Sequence, residues 1–417
     1  MDSVVLLHLL HTIAPRFDWR LSAIHVHHGI SPNADAWASF CSELCAKYNI
    51  PLHIEQVDIA PLRDEHGIEA AARKLRHAAF SKQPCDFVAL AHHADDQAET
   101  MLLQLLRGAG VKGAAAMPVL SKVEGPLLKR ATSHLPATLR PLLNIARKKL
   151  LEYAQQHALQ WVEDESNADD SYPRNFLRHR LLPLLEKKFP ACRDTLARSA
   201  QHFAEAGELL DELARQDGGL SLNEQALQID SFRNLSRQRA KNLLRYFLRL
   251  SGTPMPQAAQ LDDMLRQLLE ASKDAEVCIQ FGGWQVRRYR GGVYAFPAPG
   301  EFDAGLVISW KGESELHWPA LARNIIFLRT QGQGIGLEKL QHAPVTLRLR
   351  SGCVALRPHP KAATRSLKNL LQEHHIPPWQ RERLPLLYCG DELVCVMGVA
   401  VAVDFQAAGS EPGIVLI

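Results

Sequence analysis

Several things are missing from this 417-residue chain, and each absence removes a class of function. Its eight cysteines, at positions 41, 45, 85, 192, 278, 353, 389 and 395, contain no CxxC pair and no zinc-type spacing. Scattered in this way they read as reduced, buried thiols, not as a disulfide framework, a zinc site or a dithiol redox centre. No run approaches the ~18 apolar residues that a membrane span needs. The opening MDSVVLLHLLHTIAP is apolar, but Asp2 stands where a secretory leader carries positive charge. His8 and His11 interrupt it, and no small-residue cleavage site follows. A cytoplasmic location without membrane attachment is expected. The net charge is only +3, so any contact with nucleic acid has to be local. Internal repeats and low-complexity tracts are absent as well.

What is present is an alternation of strands and helices. The length suits two or three domains. Leu21 to His28, Leu52 to Ile59, Phe87 to Ala91 and Leu139 to Leu143 read as strands. Helices are expected at residues 2–14, 34–47, 68–80 and 146–157, the first with Asp2 or Ser3 as N-cap. This order predicts an α/β fold, a parallel, doubly wound sheet with helices on both faces. Beyond Trp161 the chain turns loop-like, then mainly helical, with the helix 237–250 followed by a Gly-punctuated hairpin or meander. A small α+β unit closes the chain. The expected divisions are 1–185, 186–300, a connecting segment 301–343, and 344–417.

The densest chemistry lies in FVALAHHADDQAETMLLQLLR, residues 87–107. A buried strand runs into His92, His93, Asp95, Asp96 and Glu99, and then into an amphipathic helix that Asp95 or Asp96 can cap. The carboxyl ends of strands are where open α/β sheets bind ligands. Asp96 and Glu99 are three apart and share a helix face suited to an ammonium group or a magnesium ion. Asp2-Ser3 ahead of a helix fits the end of an anion-cradling loop, although the dipeptide alone says little. His27 and His28 end a strand where an adenine or ribose could lie; a turn with solvated histidines fits them equally. Arg73 and Arg76 on one helix suit phosphate, or are simply a basic helix surface. Arg174 and Arg178, at i,i+4, present two guanidinium groups for phosphate or for an ion pair with Glu163, Asp164 or Asp169. Between Val345 and Pro385 eight Lys or Arg face only Glu373 and Glu382, with His359, His374, His375 and Trp379 interleaved. Phosphate neutralisation plus stacking is the chemistry of RNA contact.

Taken together, DSVVLLHLL, VHHGIS, AARKLRH, LAHHADDQAET, LLRGAG, LRPLL, EDESNADDSYPRNFLRHRLLP and LKNLLQEHHIPPWQRERLPLL resemble the bacterial tRNA(Ile)-lysidine synthetases. These are PP-loop (N-type) ATP pyrophosphatases, and the blocks occur in the family's order over nearly the whole chain. The HHADDQAET block is shared with related tRNA thiolases; the RPLL, SN…RN and terminal PPWxRxRLPLL blocks are the specific ones. The resemblance implies a PP-loop catalytic domain over 1–185, a substrate-binding domain over 186–300 and a tRNA-binding domain over 344–417. It implies ATP and magnesium as cofactors, and free L-lysine and a tRNA(Ile) with CAU anticodon as partners. A homodimer is compatible with it.

Residue roles follow from the same resemblance. Asp2 would hold magnesium at the triphosphate, with Ser3, His27, His28 and Arg73 around the ATP. Asp96 and Glu99 would hold the lysine, assisted by Arg174. His92 or His93 would take a proton from the attacking amine. Arg178, Lys361, Arg365, Lys368, Trp379, Arg381 and Arg383 would contact tRNA.

One departure matters. The family's loop reads SGGxDS after a buried strand, whereas here Met1 occupies the variable position and Ser-Gly-Gly is absent. Those glycines let backbone wrap a pyrophosphate. A start roughly 15–30 residues upstream, supplying a strand and the loop, is therefore expected. If the chain starts at Met1, poor folding and little ATP turnover are expected. The rival readings are a PP-loop tRNA thiolase, a metal-dependent phosphohydrolase built on HHxDD, and a tRNA-binding protein without catalysis. The upstream DNA tests the start directly: Ser-Gly-Gly codons in frame before Met1 are expected, and an in-frame stop without them would sink the idea.

Overall fold

The structure, a computed structural model, describes residues 1–121, 135–219, 226–272, 275–321, 323–350, 352 and 354–417. They form two compact units, Met1–Pro297 and Ala298–Ile417. Seven cysteines are free thiols; Cys353 lies outside the described residues. No helix among the described residues is long and apolar enough to cross a membrane.

The first unit opens with α1 (Asp2–Phe17), β1 (Ala23–His27), α2 (Ala34–Lys47), β2 (Leu52–Gln56) and α3 (Ile68–Ser81). β3 (Phe87–Ala89), α4 (Ala94–Leu106), β4 (Leu120–Ser121), β5 (Ala137–Leu139) and α5 (Arg147–Gln156) follow. β1 pairs with β2 in parallel, and β3 with β5 in parallel, as the strand–helix alternation predicts. β4 adds to β5 antiparallel. Among the described residues the strands form two separate pieces, β1-β2 and β3-β5-β4, and are shorter than the apolar runs suggest.

Val5, Leu6, Leu9 and Leu10 recur at helical spacing on α1. The first two are buried in a core with Leu142, Leu150 and Ala154, and Leu9 and Leu10 pack against it. That core joins α1 to α5 and sets where the first turn of α1 stands. The cap of α1 is Met1, through backbone alone; Asp2 and Ser3 lie inside the first turn, so neither is the N-cap expected for them.

A helical run over 173–188 contains a π turn at Leu177–Leu181. It leads to α6 (Cys192–Gly218), a helix of 27 residues. α6 packs along α4, and Lys112 pairs with Asp211. The stretches 1–185 and 186–300 are in this way tied into one unit up to Pro297. β6 (Leu227–Gln228), α7 (Arg237–Ser251), α8 (Ala258–Glu270), β7 (Cys278–Phe281), β8 (Trp284–Tyr289) and β9 (Gly292–Pro297) complete it. β7, β8 and β9 are the meander announced by Gly282-Gly283 and Gly291-Gly292, and β6 joins its edge. Leu243, Leu244, Leu248, Leu261, Met264 and Leu268 fill the core between the helices and this sheet.

In the second unit, the stretch read from sequence as a connection supplies strands. β10 (Val307–Trp310) pairs with β13 (Val345–Arg348), and β11 (Glu315–Trp318) with β12 (Arg323–Gln331). β12 pairs in turn with β14 (Pro412–Leu416). One helix, α9 (Leu367–Glu373), is capped by the side chain of Ser366.

Removing Leu150, 3% exposed, leaves a hole between α1 and α5. Leu150→Ala should cost about 2–5 kcal/mol. Leu106→Ala, at a side chain 72% exposed, should stay within about 0.5 kcal/mol. Denaturant midpoints check this, and equal midpoints would refute the packing described.

Candidate active site

The first turn of α4 is built by a reciprocal cap. His93 Nδ1 accepts the Asp96 N–H at 3.3 Å, and Asp96 Oδ2 accepts the His93 N–H at 3.0 Å. Such a pair satisfies two of the donors a helix start leaves orphaned. The cap is thus His93, not Asp95 or Asp96 as expected; Asp96 closes the box from the N3 position. Asp95 is used elsewhere. Its Oδ1 accepts the Arg147 N–H at 2.9 Å, and its Oδ2 lies 3.1 Å from Arg193 Nη1.

Asp96 and Glu99 meet Arg174 and Arg178. Arg174 Nε donates to Glu99 Oε2 at 2.7 Å, and its Nη2 to Asp96 Oδ1 at 2.7 Å. Arg178 Nε donates to Glu99 Oε1 at 2.7 Å, with Nη2 3.1 Å from Asp96 Oδ1 and 2.9 Å from Glu99 Oε2. The i,i+3 carboxylates and i,i+4 arginines therefore interlock, two charges against two. Glu99 is 0% exposed and Asp96 8%, so the guanidinium groups replace the water those carboxylates lost. The ion-pair partners of the arginines are these two acids, not Glu163, Asp164 or Asp169. Arg178, read with the tRNA-contacting set, belongs to this cluster. Burial alone would raise the Asp96 carboxyl; His93, Arg174 and the His93 N–H outweigh it and hold it below the usual range. Burial likewise opposes the charge on Arg178, but its bonds to Glu99 raise it further.

Asp2 stands beside this cluster. Its Oδ2 is 3.9 Å from His93 Nε2, and its Oδ1, 3.9 Å from Arg147 Nε, is buried without a hydrogen-bond partner. An uncommitted buried carboxylate oxygen suits a hard cation shared with substrate phosphates. Among the described residues no group of three or more His, Cys, Asp or Glu is arranged to hold a metal by itself.

His92 faces the other way. Its Nδ1 receives Arg140 Nε at 3.3 Å, while Arg140 Nη1 donates to the Pro118 carbonyl at 2.9 Å and to Ser121 Oγ at 3.0 Å. Burial pushes His92 down to about 4; Arg140, Arg174 and Arg73 add to this, and Asp96 opposes it. Arg73 is exposed on α3, and its charge also reaches His77 and Arg140.

His27 and His28 lie at the end of β1. His27 Nε2 bonds Asp35 Oδ1 at 3.0 Å. His28 is lowered by burial and then by Arg76, and its Nδ1 is buried without a partner. Ser3 is exposed.

In the second unit the basic residues divide. Arg381 donates to the Ile376 carbonyl at 2.7 Å. Arg383 donates to the Ala320 carbonyl at 3.1 Å and to that of Gly300, and lies 4.2 Å over the Phe302 ring. Both hold backbone carbonyl groups of the fold, in addition to standing as candidates for RNA contact. Lys361, Arg365 and Lys368 are exposed, with Arg365 paired to Glu373; Trp379 is half-buried.

Sequence reasoning missed Arg140, Arg193 and the role of Asp95. For Arg140 a signal existed: a lone arginine in the apolar run TLRPLL, with Leu142 and Leu143 buried just after it. Arg193, far along the chain, gave none.

Arg178→Ala should cost about 3–5 kcal/mol, because it leaves Glu99 buried with half of its compensation. An unchanged unfolding free energy would show that the cluster is not closed in solution.

Comparison with known proteins bears on what such a site is for. Residues 1–185 match the PP-loop domain family, 227–294 the TilS substrate binding domain and 345–417 the TilS substrate C-terminal domain. A tRNA(Ile)-lysidine synthase of Nitrosomonas europaea is 42% identical over 416 residues, covering 100% of this chain and 89% of the relative. The synthases of Azoarcus sp. and Coxiella burnetii are 40% and 38% identical, covering 100% and 99% of this chain and 89% and 90% of their own lengths. With its three domain families in this order and these relatives along its length, the chain belongs to the tRNA(Ile)-lysidine synthase family.

Proposed function

We propose that this chain is an ATP-dependent ligase that joins L-lysine to C2 of the cytidine at the first anticodon position of a tRNA(Ile) with CAU anticodon. The observation that carries the proposal is the buried Asp96–Glu99 pair at the carboxyl end of β3, beside Asp2, in a chain of this family. In the first step the C2 carbonyl oxygen attacks the α-phosphate of ATP and the bond to pyrophosphate breaks. In the second, the side-chain amine of lysine adds to C2, loses a proton, and the bond to AMP breaks.

The cluster is suited to free lysine because the head of the amino acid is itself an ion pair. Its α-ammonium can take a place now held by a guanidinium on Asp96 or Glu99, and its carboxylate can take the guanidinium set free. Arg174 is the natural exchange partner, since it makes one bond to each acid while Arg178 makes two to Glu99. The exchange trades one neutral arrangement for another, so no charge is left bare in a desolvated site. Fixing the head in this way aims the side-chain amine at the activated base. Asp2 is the residue that would hold magnesium at the triphosphate, where the ion offsets the charge of the departing pyrophosphate. Arg73 and His28 line the nucleotide side. In the second unit, exposed Lys361, Arg365 and Lys368 with Trp379 serve the tRNA.

Incubating the full gene product with ATP, labelled lysine and the cognate transcript should put label into the RNA. Asp96→Ala should lower that rate by about a hundredfold or more. Retained transcript binding without any lysine incorporation would favour a binding protein and overturn the proposal. Label that depended on a sulfur donor and the scattered cysteines would favour the thiolase.

A further inference from the structure

His92 and His93 are adjacent, and both were read from sequence as candidate bases. A base needs an open lone pair. His93 has none to offer at Nδ1, which accepts the Asp96 N–H, and its side chain is 2% exposed. His92 has an open edge, so the question is which of its nitrogens carries the proton.

Arginine answers it. A guanidinium only donates, so an imidazole nitrogen that receives Arg140 Nε must be unprotonated. Arg140 cannot give way by losing its own proton, since guanidinium stays charged in proteins. Nor can it swing aside cheaply: it is 7% exposed, and its Nη1 is held by the Pro118 carbonyl and Ser121 Oγ. The groups acting on the ring are Asp96 from α4, Arg140 from the turn after β5, Arg174 from the 173–188 run and Arg73 from α3. Three of the four are cations, which also favour the neutral ring. With Nδ1 receiving, a neutral ring carries its proton on Nε2. Among the described residues that nitrogen has no protein partner. It therefore presents a fixed N–H at the carboxyl end of β3, where the nucleotide and the base are brought.

We infer that Arg140 is a positioning residue that locks His92 in the Nε2–H tautomer, making His92 a hydrogen-bond donor to an anionic oxygen of the reacting nucleotide and not a base. This rests on the ligase reading only for what the donor serves; the tautomer is a property of the protein alone. No proton passes to His92 in either step. Its N–H contributes where charge develops, on the phosphate under attack or on the oxygen that leaves with AMP.

The two halves separate experimentally. In the protein labelled with 15N at histidine, long-range proton–nitrogen spectra at pH 7, assigned with His92→Gln, should show a neutral His92 ring protonated at Nε2. An imidazolium or an Nδ1–H ring would overturn the proposal whatever the protein's activity. In Arg140→Gln the fixed tautomer should give way to a mixture, and Arg140→Lys, which keeps a donor, should restore it in part; no tautomer change in Arg140→Gln would remove Arg140 from the assignment. In the adenylation assay, His92→Gln keeps an N–H but cannot accept a proton, whereas His92→Ala has neither. The glutamine variant should stay within about tenfold of wild type in kcat, and the alanine variant should fall about a hundredfold or more. A glutamine variant as slow as the alanine variant, with the Nε2–H tautomer confirmed, would sink the donor role while leaving the ligase reading intact. Absence of adenylation in the wild type would instead count against the ligase reading.

Discussion

A carboxylate with no exposure to water dictates much of the first unit's architecture. Glu99 sits inside the α4 interface, where an uncompensated charge would be intolerable. Its compensation comes from Arg174 and Arg178, so the segment 163–181 has to return to α4. Local contacts hold it there. Asp164 caps the short turn at Glu165–Ala168, and Asn175 donates to the carbonyls of Ser166 and Asp169. Pro173 opens the helix that carries both arginines. The π turn at Leu177–Leu181 begins just before Arg178, in the stretch where α-helical spacing is interrupted. The same first turn of α4 is also gripped through Asp95, by the Arg147 N–H at the start of α5 and by Arg193 on α6. Three parts of the chain thus converge on one helical turn because its charges must be answered.

The adjacent histidines show how one dipeptide is divided by its backbone. His93 lies at the helix start in extended conformation, and its ring folds back to cap; it is consumed by structure. One residue earlier, His92 points across to the turn after β5 and meets Arg140. Asp95 and Asp96 divide likewise, one holding α5 and α6 in place and the other facing the arginines. His92 thus addresses the site, His93 and Asp95 anchor the turn, and Asp96 does both. A dense cluster of five polar groups therefore does not make a five-ligand metal centre.

How much of this was legible depended on distance along the chain. Phe87 to Arg107 could be read as strand then helix because apolar periodicity is local, and so could the shared face of Asp96 and Glu99. The i,i+4 spacing of Arg174 and Arg178 was equally plain. That the two pairs join was not, because 75 residues separate Glu99 from Arg174 and no local pattern encodes a contact of that span. The nearer acids, Glu163, Asp164 and Asp169, were the natural guess and were wrong because they are exposed and gain little from pairing. The cap was misassigned for a different reason. Aspartate is the statistically favoured cap, but here its N3 position lets it close the box on a histidine. The family resemblance added what periodicity could not, namely the order of blocks and the reaction they serve.

The second unit shows where counting charge misleads. Eight basic residues against two acids in the 345–385 stretch describe composition, not surface. Arg383 satisfies carbonyl groups and covers Phe302, Arg381 closes the turn after α9, and Arg348 bonds Thr346 and the Gly390 carbonyl while stacking near Tyr388. Guanidinium groups suit such work because their planar forks satisfy several acceptors at once. Of the eight, five are exposed: Arg350, Arg357, and Lys361, Arg365 and Lys368 along the loop before α9 and its first turn. Since phosphate neutralisation carries no sequence information, these charges by themselves hold any RNA alike. On the proposed reading, discrimination then falls to shape and to contacts made by more than one part of the chain.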